Sequence, residues 1–394
     1  MENNLLKDLF IAYYQARKNK RNTINQLEFE INYEFNLIQL YEDIVNRVYV
    51  IKPSICFIVN KPVKREIFAV NFRDRVVHHL LFNYINPTFE NQFIDDSYSC
   101  RKGKGTHYGI QRLNQSIKQC SQNYTQDCYI LKLDIQGYFM GIDKTILQQK
   151  LKTTIDNTTT ILPEIKNLSN YLIGTILADD PTNNCIIKGN KSNWKDLPKS
   201  KSLFAAKQNC GLPIGNLTSQ LFSNIYLHSF DCFMKNENNL SYYGRYVDDF
   251  YVIATNPFFL KEIIATSKQY LKEKLGLILH PNKIFLQHYT KGVNYLGATI
   301  KPHRMYVSNR TKNNFKQCVE KWELFLQNNT PALSDLCKMR ASFNSYFGIM
   351  KHYCTYNIRY KLLIENRDKC LYQYGYIENI KHKKMLYCLY RLNQ

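Results

Sequence analysis

Leu240-Ser241-Tyr242-Tyr243-Gly244-Arg245-Tyr246-Val247-Asp248-Asp249-Phe250-Tyr251-Val252-Ile253-Ala254 reads as two short strands, aromatic and β-branched, meeting at a tight turn. The turn carries two adjacent carboxylates, Asp248 and Asp249. A hairpin turn favours Asn-Gly or Asp-Gly, because its central residues take positive φ. Two like charges there repel each other and gain nothing as structure. A divalent cation between them removes the repulsion, so the pattern points to metal-assisted phosphoryl chemistry.

A third carboxylate has a matching setting. Asp134 ends the apolar run Tyr129-Ile130-Leu131-Lys132-Leu133 and precedes Ile135-Gln136-Gly137-Tyr138-Phe139. A charge at the end of a buried strand is costly unless it is paired or bound to a metal. Asp134 alone could be a turn or helix-cap residue, but that reading fits poorly for Asp134, Asp248 and Asp249 together. Three aspartates on neighbouring strands could hold two Mg2+ ions roughly 3.5–4 Å apart, with Mn2+ as a substitute. Mg2+ prefers oxygen ligands and keeps substrate phosphates in its shell, which suits Asp rather than His or Cys.

Residues 3–48 read as helical, with Leu5, Leu9, Phe10 and Tyr13 on one face and a basic break at Arg17-Lys18-Asn19-Lys20-Arg21. Alternation predicts strands within 49–72. A helix is predicted from Arg73 to Tyr84, ending before Pro87. Arg101-Lys102-Gly103-Lys104-Gly105-Thr106 is a basic glycine loop leading into a helix near His107–Cys120. It lacks P-loop spacing, so it is not read as a nucleotide loop of that kind. Helix is predicted over 144–178, a polar surface insertion or flap over 179–200, and a helix after Gly211–Gly215 to about Phe233. A helix from Pro257 to Leu275, a β region over 277–308, and helix from Asn309 onward with a basic tail at Lys381-His382-Lys383-Lys384 complete the chain.

The 394 residues leave room for two or three domains. With 53 Lys+Arg against 32 Asp+Glu, the formal net charge of +21 suits a polyanionic partner. The 30 Tyr and 22 Phe argue against disorder and offer faces for base stacking. The 12 Cys form no C-x-x-C pair and no zinc-like cluster with His, as expected of reduced thiols in a cytoplasmic protein. No signal peptide and no membrane-spanning run are evident. His78, His79 and His352 are isolated, and read as packing residues rather than ligands.

With these residues in view, the chain resembles reverse transcriptases. Tyr246-Val247-Asp248-Asp249 is similar to their motif C, and Leu133-Asp134-Ile135-Gln136-Gly137-Tyr138-Phe139 to motif A. Arg65-Glu66-Ile67 with Phe72-Arg73-Asp74-Arg75-Val76-Val77, then Tyr98 through Thr106, resemble the two fingers blocks. Gly211-Leu212-Pro213-Ile214-Gly215-Asn216-Leu217-Thr218-Ser219-Gln220 resembles motif B, Leu279-His280-Pro281-Asn282-Lys283 motif D, and Val293-Asn294-Tyr295-Leu296-Gly297 the primer-grip block. Seven blocks in order, over roughly residues 45–310, are far more specific than one Tyr-x-Asp-Asp. The resemblance implies an α+β, right-hand polymerase fold: an N-terminal extension and fingers over 1–125, a palm with an antiparallel sheet over 126–150 and 205–300, an insertion over 151–204, and a helical thumb over 301–394.

It also implies roles. Asp134, Asp248 and Asp249 would be catalytic metal ligands, joined by the backbone carbonyl of Ile135. Phe139 would be the steric gate against a 2′-hydroxyl. Arg65 would reach the triphosphate, with Lys64 and Arg75 as weaker candidates. Gly215 would let backbone approach the nucleotide, Ile214 and Gln220 would line its site, and Lys283 would protonate the leaving pyrophosphate. Arg101, Lys102 and Lys104 would bind template phosphates. Many reverse transcriptases carry Gln-Gly and then Ser-Pro in motif B. The form Ile214-Gly215-Asn216-Leu217-Thr218-Ser219-Gln220 is similar instead to the reverse transcriptases of diversity-generating retroelements (DGR). Those enzymes copy a template-repeat RNA into adenine-mutagenised cDNA, the step behind mutagenic retrohoming, with an oligomeric, basic, helical accessory variability-determinant protein as partner. An alkyl side chain in place of a Gln amide removes a hydrogen bond worth on the order of 1 kcal/mol, enough to loosen nucleotide selection. The alternatives are a retron, group II intron or phage-defence reverse transcriptase, and an inactive RNA-binding scaffold. The absence of a downstream nuclease or integrase region predicts that other activities come from partners, in a bacterial cell and encoded by host, phage or element.

Overall fold

The computed structural model describes residues 2–18, 23–60, 63–365, 370–380 and 384–389. Asn19-Lys20-Arg21 of the basic break and Lys381-His382-Lys383 of the basic tail lie outside the described residues. The helices are α1 (Glu2–Arg17), α2 (Ile24–Ile31), α3 (Tyr33–Val45), α4 (Phe72–Gln92), α5 (Thr106–Cys120), α6 (Tyr138–Gly141), α7 (Lys144–Asn157), α8 (Pro163–Ala178), α9 (Leu217–Cys232), α10 (Pro257–Leu275), α11 (Asn309–Asn328), α12 (Leu333–Met350), α13 (Tyr356–Arg359) and α14 (Leu371–Tyr374). The strands are β1 (Ser54–Val59), β2 (Arg65–Ala69), β3 (Tyr129–Asp134), β4 (Cys185–Ile187), β5 (Tyr243–Tyr246), β6 (Asp249–Ala254), β7 (Phe285–His288), β8 (Val293–Tyr295), β9 (Ala298–Lys301), β10 (Arg304–Val307), β11 (Gly375–Ile380) and β12 (Lys384–Leu389). The class is α+β, as expected.

The chain divides into two compact units, Met1–Arg112 with Leu131–Leu286, and Leu113–Ile130 with Gln287–Gln394. In the first, β1 pairs antiparallel with β2 and parallel with β4, and a four-stranded sheet has the order β5-β6-β3-β7. Local chemistry starts and stops its helices. Asp143 accepts from Thr145 N and Ile146 N at the start of α7. Asn256 caps α10 ahead of Pro257, and Gly276 ends it at φ +64°. In the second unit β8, β9 and β10 form an antiparallel meander, and α11 and α12 bury Phe315, Val319, Phe343 and Phe347 in a core shared with Leu371 and Tyr387. Among the described residues no helix is long and apolar enough to cross a membrane.

Three expectations need correcting. The helix predicted to end before Pro87 runs on to Gln92. Pro87 has no N–H to give to the carbonyl one turn back, but Leu80, Leu81, Ile85, Thr88 and Phe89 are all buried on the same helix, and their packing outweighs one missing bond. The polar segment 179–200 is the largely exposed surface insertion expected, but it is tethered rather than a flap. It supplies β4, and its Trp194 donates Nε1–H to buried Glu66 at 2.7 Å, where Ser202 Oγ and the Leu203 N–H also donate. The region after Asn309 is helical only in part, because β11 and β12 pair as an antiparallel hairpin. Its period-two pattern, with Tyr376 and Glu378 outward and Ile377 less exposed, was hidden behind the helical periodicity preceding it.

Candidate active site

On β3, Leu131 and Leu133 point into the core and Lys132 and Asp134 point the other way, so alternation places a half-buried carboxylate at the strand's end. On the hairpin, Tyr246 pairs with Asp249, leaving Val247 and Asp248 as a two-residue turn. β6 is the neighbour of β3 in the sheet. The Ile135 N–H donates to the Asp248 carbonyl at 3.2 Å, just past Asp134, and the His280 N–H donates to the Asp134 carbonyl at 2.8 Å. The strand end, the hairpin tip and the segment carrying Lys283 are therefore stitched together by backbone.

The three acids feel one another. Burial, then the charge of Asp134, pushes the Asp248 carboxyl up to about 6, against weaker pulls from Lys283 and Arg65. Burial also pushes Asp249 up to about 7; Lys132 opposes this, while Asp248 and Asp134 add to it. Lys283 Nζ lies 2.8 Å from Asp134 Oδ1, and Lys132 Nζ lies 3.7 Å from Asp249 Oδ2. Asp249 Oδ1 is buried without a hydrogen-bond partner among the described residues. An orphaned carboxylate oxygen beside two further carboxylates is a donor set for a hard divalent cation. Among the described residues no three His, Cys, Asp or Glu side chains already close around one point. Mg2+ is commonly held by one or two carboxylates together with waters and substrate phosphates rather than by an all-protein cage. The residues present fit the ion.

Val247 sits at φ +57°, an uncommon conformation for a β-branched residue, with a cost of order 1–3 kcal/mol. The surrounding structure holds it there. The Val247 N–H donates to Ser99 Oγ at 3.2 Å, and Arg245 Nη1 donates to the Val247 carbonyl at 2.9 Å. Arg245 is fully buried and grips buried Asp231 with Nε at 2.7 Å and Nη2 at 2.6 Å. Asp231 also accepts from Tyr243 Oη at 2.6 Å. Arg245, Asp231 and Ser99 escaped the sequence reading. The signal was a lone arginine inside an apolar strand, a position that is unfavourable without a buried partner, but nothing in the sequence identified Asp231 as that partner.

The remaining expected residues divide. Arg65 opens β2, exposed, and its charge reaches Asp248. Phe139 and Ile214 pack against one small cluster containing Cys56, Phe68, Met140 and Leu203, so motifs A and B meet there. The Ile214 carbonyl accepts from the Phe68 N–H at 2.9 Å. Gly215, exposed at φ +128°, passes so close to β2 that a Cβ would lie 3.0 Å from Ile67 Cγ2 and 3.1 Å from the Phe68 oxygen. Gln220 is exposed on α9 and makes no hydrogen bond to the acids among the described residues. Other basic candidates are already engaged. Arg75 Nε donates to the Ala16 carbonyl at 3.0 Å, and Lys64 Nζ bonds the Lys195 carbonyl. Arg101 is a structural clamp, bonding Glu90 Oε1 at 2.8 Å and the carbonyls of Ile94 and Ser97. Lys104 bonds the Asp95 carbonyl at 2.7 Å, while Lys102 is exposed. His78 is buried against Thr218 Oγ1 at 2.6 Å, a packing residue as expected.

Residues 59–300, more than half of the chain, match the family described as reverse transcriptase (RNA-dependent DNA polymerase). Protein YkfC of Escherichia coli (strain K12) is 22% identical over 261 residues, covering 57% of this chain and 60% of that protein. A solved structure of apo telomerase from Candida tropicalis, truncated from the C-terminal domain, aligns at a TM-score of 0.44 and 12% identity, covering 68% of this chain and 59% of that one. The chain thus spans less than two thirds of the length of either protein.

Proposed function

Because the chain belongs to the reverse transcriptase family and has its α+β right-hand polymerase fold, we propose that it copies an RNA template into DNA, and does so as the polymerase of a diversity-generating retroelement. The observation that carries the polymerase reading is the convergence of Asp134 with the Asp248–Asp249 turn, including a buried Asp249 oxygen that no group among the described residues satisfies. Asp134, Asp248, Asp249 and the Ile135 carbonyl would hold Mg2+. When bound, the ions supply the Lewis acidity that activates the primer 3′-hydroxyl and neutralises the leaving pyrophosphate.

The chain's own groups do the rest. Arg65, at the open end of β2, binds the triphosphate. Phe139, fixed by the Phe68 cluster, stands under the sugar and excludes ribonucleotides. Ile214 and Gly215 face the base pair being formed, with Gln220 farther along α9. Lys283 holds a proton for the pyrophosphate oxygen released as the primer oxygen bonds to the α-phosphorus. Its ammonium beside Asp134 places that charge at the site. We assign residues 1–125 to the N-terminal extension and fingers, 126–150 and 205–300 to the palm, 151–204 to an insertion and 301–394 to the thumb.

The retroelement assignment rests on the motif B form Ile214-Gly215-Asn216-Leu217-Thr218-Ser219-Gln220, whose Ile214 packs against the same cluster as Phe139. Template-repeat RNA, primer, cDNA, dNTPs and an oligomeric basic accessory protein are the partners on this reading. The 12 cysteines, all free, suit the reducing cytoplasm of a bacterial cell. Primer extension on an RNA template with dNTPs and Mg2+ tests the activity: Asp248→Ala abolishes incorporation, and incorporation that survives the change refutes the metal assignment. Sequencing cDNA made on the native RNA with the accessory protein tests the retroelement reading; errors spread evenly over all four template bases refute it.

A further inference from the structure

The second unit contains a cleft of about 690 Å3, a size within the range of about 300–1,000 Å3 typical of ligand pockets. One of its lining residues, Arg359, is only 2% exposed, yet its Nε and Nη1 have no hydrogen-bond partner among the described residues. Lys118, Arg304 and Lys351 line the same cleft and are exposed, and among the described residues no aspartate or glutamate lines it. A guanidinium removed from water without a carboxylate is a standing cost to the fold, and burial lowers its pKa accordingly. The walls are tied in place: the Cys354 N–H donates to the Met305 carbonyl at 2.8 Å and buried Thr355 donates Oγ1–H to the Met350 carbonyl at 2.8 Å. Two aromatic faces stand among the cations. Tyr124 meets the His303 ring edge-on with centroids 4.6 Å apart, and Tyr356 stacks on Tyr360 at 5.9 Å.

Concentrated positive charge, an unsatisfied buried guanidinium and nearby tyrosine rings match one ligand chemistry, a phosphate carrying a base. We propose that this cleft binds a nucleotide, its phosphate on Arg359 with support from Lys118, Arg304 and Lys351, and its base against a tyrosine. The nucleotide is either free or one unit of a single-stranded RNA. This goes beyond the polymerase assignment, since every lining residue belongs to the unit that lacks the three aspartates.

The test uses the full chain in EDTA, so that metal-dependent substrate binding is silent. Adenosine 5′-monophosphate and a hexauridylate are titrated by calorimetry against wild type, Arg359→Met, and Arg304→Ala/Lys351→Ala. Both variants are expected to bind at least about tenfold more weakly, while Arg359→Met melts no lower than wild type because it removes an unpaired buried charge. Loss of mononucleotide binding identifies a free nucleotide as ligand; loss confined to the hexauridylate identifies an RNA strand. A control, Lys316→Ala/Lys338→Ala, removes the same charge elsewhere in the unit and leaves binding intact. Asp248→Ala, which tests the polymerase reading, also leaves it intact. Wild-type affinity in both cleft variants overturns the proposal, as does an equal loss in the lysine control. If Arg359→Met fails to fold, the exposed double variant decides.

Discussion

Arg245→Met separates what the buried ion pair does for stability from what it does for the site. The change removes both bonds to Asp231, at 2.7 and 2.6 Å, and the 2.9 Å bond to the Val247 carbonyl. Asp231 remains fully buried, with Tyr243 its one remaining donor among the described residues. Breaking a buried pair on one side costs about 3–5 kcal/mol, a large share of the roughly 5–15 kcal/mol that holds a domain folded. Adding Asp231→Leu removes the orphaned charge, and most of that loss should return, because apolar replacement of a buried pair is often close to neutral. Polymerase activity should not return with it. The turn at Val247 keeps its positive φ but loses the donor that holds its carbonyl, so Asp248 and Asp249 are less well aimed. A misplacement of about 1 Å can cost on the order of 100-fold in rate. The assays are the midpoint of urea unfolding by circular dichroism and kcat for primer extension. An Arg245→Met midpoint equal to wild type refutes the stability reasoning. Full activity in the stable double variant refutes the positioning role.

Phe139→Ala should raise incorporation of ribonucleotides relative to deoxynucleotides by at least about tenfold, with dNTP kcat changed less, since the ring discriminates by contact; single-nucleotide kinetics with both sugars measures this. Ile214→Gln should lower misincorporation opposite adenine several-fold, in line with one regained hydrogen bond, and cDNA sequencing reads it. Gly215→Ala places a Cβ 3.0 Å from Ile67 and 3.1 Å from the Phe68 oxygen at φ +128°, so it should destabilise by about 1–3 kcal/mol, seen as a lower melting temperature. Burial holds the His78 imidazole down at about 3, so between its unfolded pKa near 6.5 and that value the unfolded chain binds a proton the folded chain refuses. His78 then contributes a fall in stability on acidification of up to about 1.4 kcal/mol per pH unit, and His78→Gln should flatten the stability profile between pH 6 and 4.

The parts of the fold that were legible are those where one local rule speaks alone. The strand ending in Asp134 and the Val252–Ile253 arm of the hairpin are short apolar runs, and α10 announces itself through Asn256-Pro257 and Gly276. Legibility failed where a distant partner overrides the local rule. Pro87 should end a helix, but buried neighbours carry α4 past it. The insertion 179–200 is polar in sequence, yet Trp194 reaches 128 residues back to Glu66. Arg101 looked like a phosphate ligand because its loop is basic and rich in glycine; Glu90 and two backbone carbonyls use its donors instead. At the candidate site the acids were legible because charge at a strand end or hairpin tip is anomalous by itself. Arg245 was not, because its meaning depends on an aspartate 14 residues away across the fold.

The hairpin tip breaks several rules of stability within three residues. A sequence optimised for the turn alone would place glycine where Val247 takes positive φ, and would avoid two adjacent carboxylates whose burial pushes them up to about 6 and about 7. Each departure is unfavourable, and Arg245, Ser99 and Asp231 are arranged to hold the result in place. Departures that coincide at one point, with buried residues committed to maintaining them, mark a position where function rather than stability sets the residue. A structural turn has no use for an orphaned Asp249 oxygen; a turn that must present carboxylate oxygens to a cation does. The same reasoning explains why Val247→Gly should leave stability nearly unchanged, relieved strain being offset by the greater freedom of glycine in the unfolded chain, while primer extension slows because the tip is no longer held in one conformation.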